Sequence, residues 1–302
     1  MIRVLVTGSR GQIGGEVVRA LAGRAEVIAH DRATLDLARP GDIATRVREA
    51  RPDVIVNAAA YTAVDRAESD EALARVVNAV AAGALADAAR RAGALLVHYS
   101  TDYVFDGAKQ GAYIESDAPH PLNAYGRTKL EGERAIAASG AAHLTLRTSW
   151  VYGPQGGNFV RTMLRLAETR EELRIVDDQR GAPTSSVELA RATLELLGGA
   201  THGAIAIEAV ARAKSGSGLY HASAAGETTW FGFAEAIFAE WSRRAGAGFR
   251  APRLVPIASR EYPTPARRPA NSLLDSSRLA GAFGVRLGPW REALVETLSA
   301  LR

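Results

Sequence analysis

Ile2-Arg-Val-Leu-Val-Thr-Gly8-Ser-Arg10-Gly11-Gln12-Ile13-Gly14 is the stretch on which the fold turns. An apolar, β-branched run ends in glycines and passes into Ile13, Val17, Val18 and Leu21 at helical spacing, which reads as strand, turn, helix. Bare backbone at such a turn lets a phosphate approach the amides of the helix N-terminus. Gly8, Arg10, Gly11, Gln12, Ile13 and Gly14 are therefore candidate contacts to a dinucleotide. Glycine spacing alone is weak, and the strand before it and the helix after it give it weight.

Outward from this turn the same unit recurs. Strand-like runs fall at Ala25–His30, Val54–Asn57, Leu95–Ser100, His143–Thr148 and Leu173–Val176, separated by alanine-rich amphipathic segments such as Glu68–Ala92 and Tyr125–Ala138. Such alternation implies right-handed crossovers and an α/β fold, a Rossmann-like doubly wound parallel sheet covered on both faces. After about Ile175 the rhythm changes. A turn-rich break at residues 177–186, a helix near Val187–Leu197, a flexible insertion loop over Ala204–Gly218 and a proline-rich stretch Pro252–Pro269 precede a closing helix from about Pro289. The expected division is a dinucleotide-binding domain over residues 1–175, to which later segments could return, and a smaller C-terminal substrate-binding lobe over residues 176–302.

Composition narrows the chemistry. The 302 residues hold no cysteine, which excludes disulfides, a thiolate nucleophile and a thiolate zinc site. A net charge of +4 comes from 37 basic residues scattered among 33 acids, with no basic run to mark a nucleic-acid partner. No apolar run approaches the roughly 18 residues of a membrane span, and the N-terminal residues have the wrong shape for a cleavable leader. A cytoplasmic enzyme is expected. The lysines are three, Lys109, Lys129 and Lys214, so each is informative.

Residues with chemical potential cluster at the ends of the strand-like runs. After the second run, Asp31 could take ribose hydroxyls and favour NAD, whereas the adjacent Arg32 would welcome the 2′-phosphate of NADP. Ala60, Tyr61 and Thr62 follow the third run, where small residues let a cofactor cross the sheet edge. Ser100-Thr101-Asp102 ends the fourth run, and Tyr125-Gly-Arg-Thr-Lys129 opens a helix. Residues four apart on a helix share a face, so the phenol and the ammonium can address one ligand together. A ketone receiving hydride develops alkoxide charge and needs a proton. A tyrosine supplies it best when a nearby cation, here Lys129, lowers its pKa, while the Thr101 hydroxyl orients the carbonyl. Asp102 could meet substrate hydroxyls or cap its own loop.

Several phrases together, AAYTAVDRAE, HYSTDYVFDG, PLNAYGRTKLEGE, RTSWVYG, NFVRTMLRLA, DQRGAPTS and ARRPANSLLD, resemble the dTDP-4-dehydrorhamnose reductases, a branch of the extended short-chain dehydrogenases, over residues 2 to about 300. The resemblance implies hydride transfer from NADPH or NADH, NADPH slightly favoured, to the 4-keto carbon of a dTDP-sugar. It assigns Tyr125 as proton donor, Lys129 as its partner and Thr101 as the carbonyl-orienting hydroxyl. It also puts Asp36 and Leu37 beside the adenine, Tyr99 in the cofactor site, Trp150 against the sugar ring, and Asn158 and Arg180 at the nucleotide sugar. A monomer or homodimer is implied. Some relatives hold magnesium between subunits with glutamates; Glu16 and Glu188 match two of these, but Ala300 stands at a third, so no metal is assigned. Two other readings share the fold: a regulatory subunit that binds NADP without turnover, which retention of Thr101, Tyr125 and Lys129 opposes, and an epimerase or dehydratase, whose usual acidic pair after the threonine is here Asp102 alone.

Overall fold

The structure, a computed structural model, describes residues 1–199 and 203–301; residues 200–202, inside the expected C-terminal lobe, and residue 302 at its end lie outside the described residues. Strands β1 (Arg3–Thr7), β2 (Glu26–His30), β3 (Val54–Asn57), β4 (Leu95–Thr101) and β5 (His143–Thr148) join Gly218–His221 in one six-stranded sheet. All its pairings are parallel, in the order Gly218–His221, β5, β4, β3, β1, β2. The expected doubly wound sheet is what forms.

Period-two alternation decides what each strand buries. Val4, Val6, Val54, Val56, Leu95 and Val97 face one core, shared with the helices Gln12–Leu21, Ser186–Leu196 and Ile207–Ser215. Leu5, Ile55 and Leu96 face the other, shared with Ile43–Ala50, Ala81–Ala92 and Ile136 of the helix Ala124–Ala138. The helical run Glu71–Ala92 is long and apolar enough to cross a membrane by length and composition, a property its alanines hid from the sequence reading. Here Ala81, Ala82, Leu85, Ala86 and Ala89 are buried within the protein. A third core, with Tyr152, Met163, Ile175, Phe233, Ile237 and Leu294, belongs to residues beyond β5.

The strand order reverses between β1 and β3, and the crevice above their carboxyl ends is where such sheets bind ligands. Gly8 ends β1 there with φ at +67°, and a Cβ on it would lie 2.8 Å from the Ala59 backbone after β3. Only glycine permits that approach. Gly14 is equally constrained, since its Cβ would sit 2.2 Å from the Gly8 carbonyl oxygen.

Three segments differ from the sequence reading. The run expected at Leu173–Val176 is a strand, Glu172–Val176, but it pairs with Arg253–Ile257 outside the main sheet. That partner lies within the proline-rich stretch, where Pro256 is tolerated in a two-stranded pair. The Ala204–Gly218 insertion is no loose loop. It forms the helix Ile207–Ser215, anchored by buried Ile205, Val210 and Ala213, and delivers the sixth strand to β5. Gly216 and Gly218, read as signs of flexibility, are turn residues that return the chain to the sheet edge.

Candidate active site

A cleft of about 850 Å3 runs along the carboxyl edge of the sheet. Its walls carry Gly8, Arg10, Gly11, Gln12, Ile13, Asp31, Arg32, Asp36 and Leu37 at one end, then Ala60, Tyr61 and Thr62, then Tyr99, Thr101, Asp102, Tyr125, Lys129 and Trp150. Most of these residues, far apart in the chain, meet here because they lie at or just after a strand end, whereas Tyr125 and Lys129 are brought in by the helix Ala124–Ala138. Gly14 lies beneath the turn rather than on the wall.

The catalytic end is set by one helix. Asn123 caps it, its Oδ1 accepting from Gly126 N at 2.8 Å while its Nδ2 donates to the Arg267 carbonyl at 2.8 Å. Gly126 lets the first turn press on the chain after β4, since a Cβ would lie 2.1 Å from the Tyr103 carbonyl oxygen. Tyr125 therefore arrives beside Thr101 and makes a hydrogen bond with it. Thr101 Oγ1 also donates to Asp102 Oδ1 at 3.0 Å and accepts from Tyr103 N at 3.1 Å. Lys129, one turn on, is fully buried, its Nζ donating to the Tyr99 carbonyl at 2.6 Å and lying 3.2 Å from His98 Nε2.

Burial governs the electrostatics. It pushes the Tyr125 phenol up, with the Thr101 hydrogen bond pulling down and the Asp102 charge adding to the rise. The expected lowering by Lys129 is absent in this arrangement, because the ammonium is turned to Tyr99 and His98. The phenol consequently holds its proton at neutral pH. Burial also lowers Lys129 to about 8, against the opposing charge of Glu133, and lifts Asp102 to about 6 despite hydrogen bonds from Ser272 and Thr101. Asp102 Oδ2 is buried and makes no close hydrogen bond among the described residues, which leaves it open to a further donor.

At the opposite end, Asp31 Oδ1 accepts from Ala33 N and Thr34 N at 3.0 and 3.1 Å, the loop-capping use of an acid. Arg10 lies 3.5 Å from Asp31 and Arg32 lies 3.7 Å from Asp36, both guanidinium side chains more than four-fifths exposed. Two loosely held arginines beside this end suit a phosphate better than a neutral ribose. With the bare Gly8–Gly14 backbone, these residues fit a phosphorylated dinucleotide.

Other assigned residues have visible duties. The Tyr99 side chain is turned into the core, its hydroxyl 2.5 Å from Thr193 Oγ1, so its carbonyl is what serves the site. Asn158 caps the helix Phe159–Ala167 and donates to Gln12 Oε1 at 3.0 Å, off the cleft wall. Arg180 lies off the wall as well, its Nη2 donating to Glu227 at 2.6 Å. Trp230, which the sequence reading passed over, lines the cleft and stacks on Trp150. Among the described residues no group of three or more His, Asp or Glu is placed to hold a metal ion; Glu16 pairs with Arg19, and Glu188 and Glu296 pair with Arg191.

A parallel sheet with its glycine turn at the reversal point, and a threonine, tyrosine and lysine gathered on the same edge, define a nicotinamide-dependent oxidoreductase of the short-chain dehydrogenase type. The family described as RmlD substrate binding domain matches residues 2–302. The chain belongs to this family, that of the dTDP-4-dehydrorhamnose reductases. It is 51% identical to the dTDP-4-dehydrorhamnose reductase of Burkholderia thailandensis, covering 97% of each chain. It is 44% identical to that of Escherichia coli K12, over 99% of this chain and 98% of the relative. The solved structure of the Bacillus anthracis enzyme in complex with NADP superposes with a TM-score of 0.88 at 34% identity, over 99% of both chains.

Proposed function

We propose that the protein reduces the 4-keto group of dTDP-4-dehydro-6-deoxy-L-mannose to give dTDP-L-rhamnose, with NADPH as hydride donor and Tyr125 as proton donor. The observation that carries this reading is the placement of Tyr125, Thr101 and Lys129 together on the wall of a cleft whose far end is the glycine turn. The nicotinamide, when bound, supplies the hydride.

The chain's own residues do the rest. Thr101 turns its hydroxyl from Asp102 to the carbonyl oxygen and orients it, and Tyr125 Oη gives its proton to the alkoxide as charge develops there. A reduction needs the phenol neutral at the outset, which burial ensures. Lys129 keeps two hydrogens on protein partners and has a third for a ribose hydroxyl. Asp102 Oδ2 accepts from a sugar hydroxyl, and the Trp150 face covers the ring. Arg180 exchanges Glu227 for the substrate pyrophosphate, an inexpensive exchange because that pair is exposed. Arg10 and Arg32 take the 2′-phosphate, a choice of cofactor that the NADP of the Bacillus anthracis relative supports.

The test is to supply the purified protein with the dTDP-4-keto-6-deoxy-L-sugar and NADPH and to identify the sugar formed. Stoichiometric NADPH consumption with dTDP-L-rhamnose as product is expected. Conversion without net cofactor consumption would mean an epimerase or dehydratase, and no conversion a binding protein.

A further inference from the structure

Lys129 carries a buried ammonium with no carboxylate in contact. Glu133, one turn further along the helix, is already held by Arg147 Nε and Nη2 at 2.9 and 2.7 Å and by Ser100 Oγ at 2.5 Å. The lysine is held instead by the Tyr99 carbonyl and by His98, and behind His98 the contacts continue. His98 Nδ1 lies 2.9 Å from Asn57 Nδ2, and Thr7 Oγ1 donates to Asn57 Oδ1 at 2.7 Å. Thr7, Asn57, His98 and Lys129 are each 1% exposed, so bulk solvent reaches none of them. The chain of contacts crosses β1, β3 and β4, from the residue before Gly8 to the lysine.

Counting hydrogens gives this chain two polarities. A neutral imidazole has one donor and one acceptor. When Thr7 donates to Asn57 Oδ1 and Asn57 Nδ2 donates to His98 Nδ1, Nε2 carries the ring hydrogen, which suits a lysine amine accepting through its lone pair. An ammonium requires the reverse. His98 Nε2 then accepts, Nδ1 donates, and the Asn57 amide, turned end for end, offers Oδ1 to His98 and Nδ2 to Thr7 Oγ1. Both arrangements pair Asn57, His98 and Lys129 with one another in the same space, which is a demanding property for a buried network.

We propose that Thr7, Asn57 and His98 form the positioning device for Lys129, reversing their hydrogen-bond polarity as the lysine loses or regains its proton, so that Nζ stays in place in both charge states. The inference rests on the reading of Lys129 as the partner of Tyr125 in a reduction. A phenol that has given up its proton must be recharged, and a lysine that can part with one without being displaced serves that step. The surroundings agree. Burial, with the Lys129 charge and that of His143 adding to it, keeps His98 well below its ordinary value and therefore neutral, while burial brings Lys129 to about 8. The ammonium meets His98 and the Tyr99 carbonyl on β4, and on its own helix the titratable groups one turn to either side are Tyr125 and Glu133.

The experiment has two arms. In the first, His98→Leu should lower kcat by about 10- to 100-fold and move the alkaline limb of the kcat–pH profile, with KM for the sugar nucleotide changed by less than about threefold. His98→Gln, whose amide can present either oxygen or nitrogen to Nζ, should restore kcat to within about threefold of the parent. A His98→Leu protein that is less heat-stable yet keeps the parent kcat and pH profile would overturn the proposal, as would failure of a folded His98→Gln to rescue. The second arm needs neither substrate nor folding of a His98 variant. Nitrogen-15 shifts of His98 in the cofactor-free protein should report the Nδ1–H tautomer below about pH 8 and Nε2–H above it, with the pH dependence lost in Lys129→Met. A tautomer that does not respond to pH would refute the device even if the enzyme reduces its substrate. A tautomer that does respond would sustain it even if the reaction differs from the one proposed.

Discussion

Trp150 and Trp230 lie face to face, their ring centroids 3.7 Å apart and their planes 10° from parallel. Trp150 takes φ at +49°, a left-handed conformation that a bulky residue adopts at a cost of order 1–3 kcal/mol and keeps only when its surroundings enforce it. Gly181 supplies one constraint, since a Cβ there would lie 2.5 Å from the Trp150 ring. Trp230 supplies another, itself fixed by Nε1 donating to Gln179 Oε1 at 3.2 Å.

Trp230→Ala should therefore release Trp150 from its pose. An aromatic pair contributes about 0.5–1.5 kcal/mol beyond its buried area, so KM for the sugar nucleotide is expected to rise about 3- to 10-fold with NADPH affinity unchanged. Steady-state kinetics and an NADPH titration measure the two effects. Equal weakening of both ligands would mean that the stack supports the cleft as a whole.

Arg10 stands beside Asp31, the acid that the sequence offered as a sign of NAD, and Arg32 stands beside Asp36. Replacing both by alanine is expected to weaken NADPH by about tenfold or more and NADH by much less, because only NADPH brings a phosphate to the guanidinium groups. Parallel titrations with the two cofactors check this. Losses of equal size would remove the arginines from the cofactor site.

What was legible in the sequence was local. The glycine turn and Tyr125-x-x-x-Lys129 each lie within one strand–turn–helix unit or one helical turn, where residue type and spacing already fix geometry. Trp230 was not legible, because it reaches Trp150 across 80 residues and begins a helix whose apolar positions read simply as core. The chain of Thr7, Asn57 and His98 was hidden for a related reason. Each is one polar residue in a buried strand, and only the lateral register, with Thr7 opposite Asn57 and Asn57 opposite His98, lines them up. The sixth strand escaped notice because Gly218–His221 is short and starts with glycine, so its β character comes from pairing with β5 rather than from propensity.

Asp102 gives a pH prediction with a definite sign. Its folded value, about 6, lies above the ordinary 3.8, so the folded state binds the proton more tightly than the unfolded chain. The stability it contributes is complete below about pH 4 and is lost as pH rises to about 6, a loss on the order of 3 kcal/mol at a fully buried site. Asp102→Asn cannot ionise. Relative to the parent it should gain stability progressively from pH 4 to 6 and hold the gain above, as read by urea denaturation at several pH values. A difference independent of pH would mean that Asp102 ionises as freely in the fold as in the unfolded chain.

The central claim is that Tyr125 delivers the proton in a ketone reduction. Tyr125→Phe keeps the ring and its edge contact with Tyr103, centroids 5.6 Å apart, and removes only the hydroxyl. The most direct measurement is single-turnover NADPH oxidation by this variant with saturating dTDP-4-keto-6-deoxy-L-sugar, beside an NADPH binding titration. The account predicts unchanged NADPH affinity and a rate at least about 100-fold below that of the parent protein; a rate within a few fold of the parent would contradict it.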